Sequence, residues 1–171
     1  MKQKGFTLIE LLVVIAIIGL LASVVLVALN GARAKARDVK RLADKKQVIN
    51  ALNLYYADNN AWPSAIGGKC LAPSSESCWT GGTYSGSDSL VTALQPYLAS
   101  LPKNNADTGT YAFDRLLYLN PVPVGAWTPG SPAGAYLIWI QEIIFPASLC
   151  SSPISPIHYD KYWYCYEYVG P

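Results

Sequence analysis

No proline stands before Pro63, although the chain of 171 residues holds twelve. A proline inside a helix removes an N–H and clashes with the preceding turn. Its absence permits one unbroken helix over the first sixty residues, and its later abundance points to strands, turns and loops. Charge is almost as scarce at the start: from Phe6 to Leu29 the one ionisable side chain is Glu10. Histidine occurs once, at His158 in a proline-flanked loop, so no Ser–His or Cys–His pair can be assembled around it with any motif to support it. The four cysteines, at 70, 78, 150 and 165, have C-x7-C and C-x14-C spacings, not the short pairs of a zinc site. There is no glycine-rich phosphate loop and no H-E-x-x-H motif. Asp88, Asp107, Asp114 and Asp160 are too scattered for a calcium loop. These absences lead us to expect no enzyme, no cofactor and no metal.

What is present divides at about residue 60. Residues 1–60 carry nine Lys/Arg against four Asp/Glu, a net of +5, and residues 61–171 carry four against seven, a net of −3. The 24 residues from Phe6 to Leu29 reach ~36 Å as a helix, more than the ~30 Å hydrocarbon core of a bilayer. The run is too long for a secretory h-region, and no small-residue cleavage site closes it. Beyond it, Val39, Leu42, Ile49, Leu52 and Tyr56 recur at helical spacing and predict an apolar stripe. Arg33, Lys35, Arg37, Lys40, Arg41, Lys45 and Lys46 are expected on other faces, with Asp38 and Asp44 interleaved and Asp44 in reach of Lys40 and Arg41. One helix is therefore expected from about Phe6 to about Asn59, ~80 Å long, with Gly19 and Asn30-Gly31 as its weak points.

The stretch MKQKG-FTLIELLVVIAIIGLLA resembles the N-terminus of type IV prepilins and type II secretion pseudopilins, a basic leader ending in glycine followed by Phe-Thr-Leu-Ile-Glu. Weaker likeness continues through RDVKRLADKKQVINALNLYYADNNAWPS, and YLASLPKNNADTGTYAF resembles the loop before the sheet in major pseudopilins. The resemblance implies a leader over 1–5, cut between Gly5 and Phe6 by a prepilin peptidase, with Phe6 then N-methylated. It implies that Glu10 guides assembly into a filament. It also implies an α+β, type IV pilin-like fold: a transmembrane helix half over 6–29, an amphipathic half over 30–60, and a β-rich globular domain over 61–171. Many family members carry a proline where this chain has Val27.

A carboxylate inside lipid costs several kcal/mol unless paired. In a filament, the new amine on Phe6 can approach Glu10 of a neighbouring copy and set the axial register of the helices. The alternative is that Glu10 lies in the first turn and complements its own helix dipole. The implied partners are copies of the chain, the peptidase, an inner-membrane assembly platform and, before assembly, the membrane. The basic stretch Arg33–Lys46 could meet DNA phosphates, but acidic residues interrupt it and nucleic acid is not expected. Asp107 is the one calcium candidate, because some pseudopilins bind calcium near that loop. The implied role is a pilin of a type IV pilus or related filament. The alternatives are a type II secretion pseudopilin, or a minor pilin acting as an adhesive or DNA-binding module.

The globular part holds seventeen aromatics. Residues 62–88 read as turns and 90–98 as a short helix or turn. Strands are expected over 110–119, 135–144 and 161–169. An antiparallel sheet packed on the amphipathic helix half is the economical arrangement. In 161–169 the faces differ: Trp163, Cys165 and Val169 are expected inward, and Tyr162, Tyr164, Tyr166 and Tyr168 outward. An even number of cysteines reads as two disulfides in an oxidising compartment, against four reduced core cysteines as the alternative. Local turn chemistry favours Cys70–Cys78 and Cys150–Cys165, worth ~2.5–3 kcal/mol each in the chain-entropy model. The positive-inside rule would place the C-terminal part in the cytoplasm, and the cysteines place it outside. We expect a single-pass inner-membrane protein whose C-terminal domain faces away from the cytoplasm, followed by an extracellular filament.

Overall fold

The computed structural model describes residues 7–78, 84–103, 115–122, 133–141, 157–159 and 162–170. Its first element is the helix α1, Leu8–Asn59. It runs without interruption through Gly19, Val27 and Gly31, so neither glycine acts as a break. Its end is chemically marked. Asn60 takes the left-handed conformation (φ 51°), its N–H bonds to the Tyr56 carbonyl at 2.7 Å, and the Asn59 amide caps the Tyr55 carbonyl at 2.9 Å. Asparagine is, after glycine, the residue that tolerates this C-terminal geometry best. The chain falls into two compact units, residues 1–36 and 37–171.

In the first unit the helix is bare. Every large apolar side chain from Leu8 to Leu29 is exposed, and the segment is long and apolar enough to cross a membrane.

The second unit is an α+β layer structure. The strands are β1 (Ala65–Cys70), β2 (Leu117–Val122), β3 (Gly134–Gln141), β4 (Ile157–Tyr159) and β5 (Tyr162–Gly170). They form one five-stranded sheet in the order β1-β2-β3-β5-β4, and every pairing is antiparallel. Between β1 and β2 lies the short helix α2, Asp88–Leu94, whose N-cap Ser87 accepts from the Leu90 N–H.

The central strand explains its own sequence. β3 is a continuous apolar run because both of its faces are covered. Ala135, Leu137 and Trp139 join Val48, Ala51 and Leu52 of α1 and Leu90 and Leu94 of α2 in the main core. Tyr136 packs with Val122, and Ile138 and Ile140 join Cys70, Ala72, Cys78, Leu117 and Tyr164 in a second cluster on the opposite face.

Several expectations need correction. The buried stripe of α1 is Asp38, Arg41, Lys45, Val48, Ala51 and Leu52. Leu42, Ile49 and Leu52 of the predicted stripe do pack on the core, but Val39 is 62% exposed and Tyr56 lies at the surface. Counting apolar residues placed the stripe too far round, because charges that find partners can be buried beside them. Residues 65–70 form a strand where turns were expected: Gly67 and Gly68 both have φ of 77°, and the pairing register shifts between Ala65 and Lys69. Two glycines inside a strand mark an irregularity that only glycine accommodates. β2 ends at Val122, past the expected boundary, and residues 110–114 lie outside the described residues.

The tyrosine face of β5 also differs. Cys165 and Val169 do face the helix-side core, as expected. However, Tyr164 is buried in the second cluster and Tyr166 and Tyr168 are half-buried. The face away from the helix is thus a second packed layer, not an open tyrosine ladder. The side chains of Tyr162 and Trp163 lie outside the described residues.

Candidate functional site

The carboxylate that interrupts the apolar run sits in a reciprocal cap. The Thr7 N–H and hydroxyl both donate to Glu10 Oε2, at 2.8 and 2.7 Å, and the Glu10 N–H donates to Thr7 Oγ1 at 3.3 Å. This is the Thr-x-x-Glu capping box, which satisfies two backbone N–H groups that a helix start leaves unpaired. The pattern is readable in the sequence as TLIE, and the role of Thr7 is the part that a reading centred on charge misses. Within the single chain, then, the first-turn position of Glu10 is accounted for by its own helix. Ile9, Val13 and Val14 line an apolar hollow beside it.

In the second unit α1 buries the ionic residues Asp38, Arg41 and Lys45. Asp38 pairs with Arg41 at 2.8 Å, and both side chains are almost fully buried. Lys45 reaches from α1 to Glu167 on β5 at 3.0 Å, and its Nζ lies 4.8 Å from the centre of the Trp139 ring. Lys40 pairs with Asp44 at 3.4 Å, as its spacing predicted. Burial of Arg41 and Lys45 withdraws them from any phosphate backbone.

Around the sheet edge, Arg115 donates to Glu76 at 2.6 Å and to the Pro102 carbonyl. Ser74 donates through its N–H and hydroxyl to Asp88. These bonds hold the Asp88 carboxyl below the ordinary aspartate range. A lowered folded-state value means that the tie is present above the ordinary Asp pKa of about 3.9 and is lost as pH falls through the lower folded value. In an NMR titration the Ser74 amide is therefore expected to shift with a midpoint below about 3.9, and not to titrate in Asp88→Asn. A wild-type midpoint above that value would contradict the bonding shown. Tyr97 donates to Asp58 at 2.6 Å, which raises its hydroxyl pKa. Burial does the same to Tyr118 and Tyr136.

Cys70 and Cys78 form a disulfide. Cys165 is disulfide-bonded as well, and Cys150 lies outside the described residues. Gly5, Phe6 and Asp107 are also outside them. Among the described residues no group of three His, Cys, Asp or Glu is placed to hold a metal ion.

Residues 1–26 match the family model described as the prokaryotic N-terminal methylation motif. The type II secretion system core protein G of Aeromonas hydrophila is 34% identical over 131 residues, covering 77% of this chain and 71% of that protein. The chain belongs to the type IV prepilin and type II secretion pseudopilin family. The protein of the same name from Escherichia coli K12 is 48% identical over 63 residues, 37% of this chain and 43% of its own length. A fimbrial protein of Neisseria meningitidis serogroup B is 43% identical over 76 residues, 43% of this chain and 44% of its own length. No solved structure matches. The shorter matches cover less than half of those relatives, so likeness is concentrated in part of the chain. With the bare apolar helix and the layered second unit, these findings make this chain a pilin-like subunit.

Proposed function

We propose that the chain is a structural subunit that acts by polymerising, not by catalysis, into a type IV pilus or a related filament. The observation that carries this is the pairing of a methylation motif with a helix whose large apolar side chains, Leu8 to Leu29, are exposed among the described residues. Such a surface needs lipid or other helices around it. Residues 1–5 are the leader, removed between Gly5 and Phe6 by a prepilin peptidase, and Phe6 is then methylated. Residues 6–29 hold the subunit in the inner membrane, 30–60 are the amphipathic half, and 61–171 lie outside the cytoplasm. That side suits the disulfides, Cys70–Cys78 and, in our reading, Cys150–Cys165. An inner-membrane platform then passes the subunit to the filament, where its partners are copies of itself. Nucleic acid, metal and cofactor have no part in this role.

In the filament, Glu10 accepts the Phe6 amine of a neighbouring copy. The capping bonds to Thr7 keep the carboxylate in the first turn until that partner arrives. The 131-residue match to a secretion-system protein favours a second form of the same reading, a pseudopilin that builds a short secretion filament. The experiment is electron microscopy of filaments sheared from producing cells, with the chain identified in them. Long surface filaments made mainly of this chain support a pilus. Filaments seen only when the chain is overproduced support the pseudopilin form. No filament in either case overturns both.

A further inference from the structure

We propose that the Cys70–Cys78 disulfide is a redox latch that seals the outer layer of the sheet, separately from the helix-side core. Three independent observations converge on it. First, both cysteines are buried and belong to the cluster that covers the face of the sheet away from α1, packed with Leu117, Ile138, Ile140 and Tyr164. No residue of α1 belongs to that cluster. Cys70, Ala72 and Cys78 of the bridged loop thus cover this apolar face of the central strand, while Leu71 between them turns into the helix-side core.

Second, the Cys78 half of the covering segment buries no side chain before the cysteine itself. The segment's apolar anchors, Leu71 and Ala72, lie at the Cys70 end, and the Leu71 N–H bonds to the Leu116 carbonyl at 2.9 Å; from there to Cys78, Ser74, Ser75, Glu76 and Ser77 are all exposed. The loop is fastened at its rim by polar ties, Glu76 to Arg115 and Ser74 to Asp88, and by the Gly86 N–H to the Glu76 carbonyl at 2.8 Å. The Ser74–Asp88 tie is exposed and contributes little, and the Arg115 tie ends on a Glu76 side chain that is 43% exposed. Third, the fit depends on closeness. A Cβ on Gly86 would run into the carbonyl oxygens of Ala72 and Pro73, so the two halves of the layer meet backbone to backbone and cannot close loosely.

The two layers thus depend on different forces. The helix-side layer holds Val48, Leu52, Leu90, Leu94, Leu137 and Trp139, enough apolar side chains to fold by burial. The outer layer needs the bridge. Latching is a two-electron oxidation. The Cys70 and Cys78 thiols give up two protons and two electrons to the disulfide of a thiol oxidoreductase, the S–S bond forms, and the oxidoreductase leaves as a dithiol. Before that exchange the subunit has one sealed face and one open apolar face, and after it has two sealed faces.

The test is hydrogen exchange, read by mass spectrometry, on the full chain in detergent micelles. It compares the wild type with Cys70→Ala/Cys78→Ala, which leaves Cys165 untouched. Closing a loop of nine residues is worth a factor of roughly fifty to a hundred in the chain-entropy model. Amides of 70–78 and 84–87 are expected to exchange faster by about that factor, while 45–55 and β3 stay within about threefold of wild type. A second variant, Arg115→Gln, keeps the bridge and frees Glu76, and 70–78 should stay within about threefold there. Unchanged protection of 70–78 in the double cysteine variant would overturn the latch. So would equal loss across 45–55, whether by unfolding or not, and so would loss in Arg115→Gln as large as in the cysteine variant. None of these readouts involves filaments, so the latch and the proposed assembly role stand or fall separately.

Discussion

Glu10→Ala is expected to leave the subunit in the membrane at wild-type level and to remove it from filaments. A carboxylate within an apolar span costs several kcal/mol unless it is paired, so its removal makes insertion easier, not harder. Among the described residues Glu10 contributes a capping box with Thr7, at 2.7 to 3.3 Å. A cap is worth about 1 kcal/mol, small against a continuous 52-residue helix. What the substitution removes in the proposed filament is a charge pair in an apolar core, worth several kcal/mol with its partner left buried. Since about 1.4 kcal/mol is tenfold in an equilibrium, filament yield should fall by a factor of roughly a hundred or more. Thr7→Val separates the two roles, because it loses the hydroxyl half of the cap and keeps the carboxylate. It should retain most of the filament yield. Quantitative immunoblotting of membrane and sheared fractions reads both variants. Equal loss in the two, or normal yield from Glu10→Ala, would make Glu10 a helix cap and nothing more.

Glu167→Ala is expected to destabilise the second unit by about 3–5 kcal/mol. It leaves the Lys45 ammonium, with its side chain 6% exposed, facing a core that holds Trp139. The ring face offers a cation–π contact of about 1–2 kcal/mol, too little to replace the carboxylate. Replacing both partners by apolar residues of similar size, Lys45→Met with Glu167→Leu, removes the desolvation cost with the charges and should be close to neutral. Urea unfolding of the full chain in detergent, followed by near-UV circular dichroism, measures each variant and the coupling between them. A single substitution costing under about 1 kcal/mol would place the pair in the class of solvent-screened surface bridges.

The buried ionic residues also show where sequence reading stops. The apolar run, the continuous helix and the central strand were legible because each is a long pattern with one period or none. β3 could be placed from its unbroken hydrophobicity, and the inward position of Cys165 and Val169 from simple alternation. The helix face was not legible, because Asp38, Arg41 and Lys45 look like solvent-facing charge until Glu167, 122 residues away from Lys45, is known to meet it. β1 was missed because Gly67 and Gly68 carry turn chemistry into a strand. The outer layer was missed because the face alternation of β5 tells which residues oppose the helix, not whether something else covers the other side. At Glu10 the sequence posed the right question, and TLIE already held the capping half of the answer. The proposed intersubunit half would belong to more than one chain.

The most direct measurement of the central claim is the intact mass of the chain taken from assembled filaments. The account predicts a polypeptide that starts at Phe6, carries one methyl group on its amine and retains its disulfides under non-reducing conditions. A filament protein that still carries residues 1–5 would contradict it.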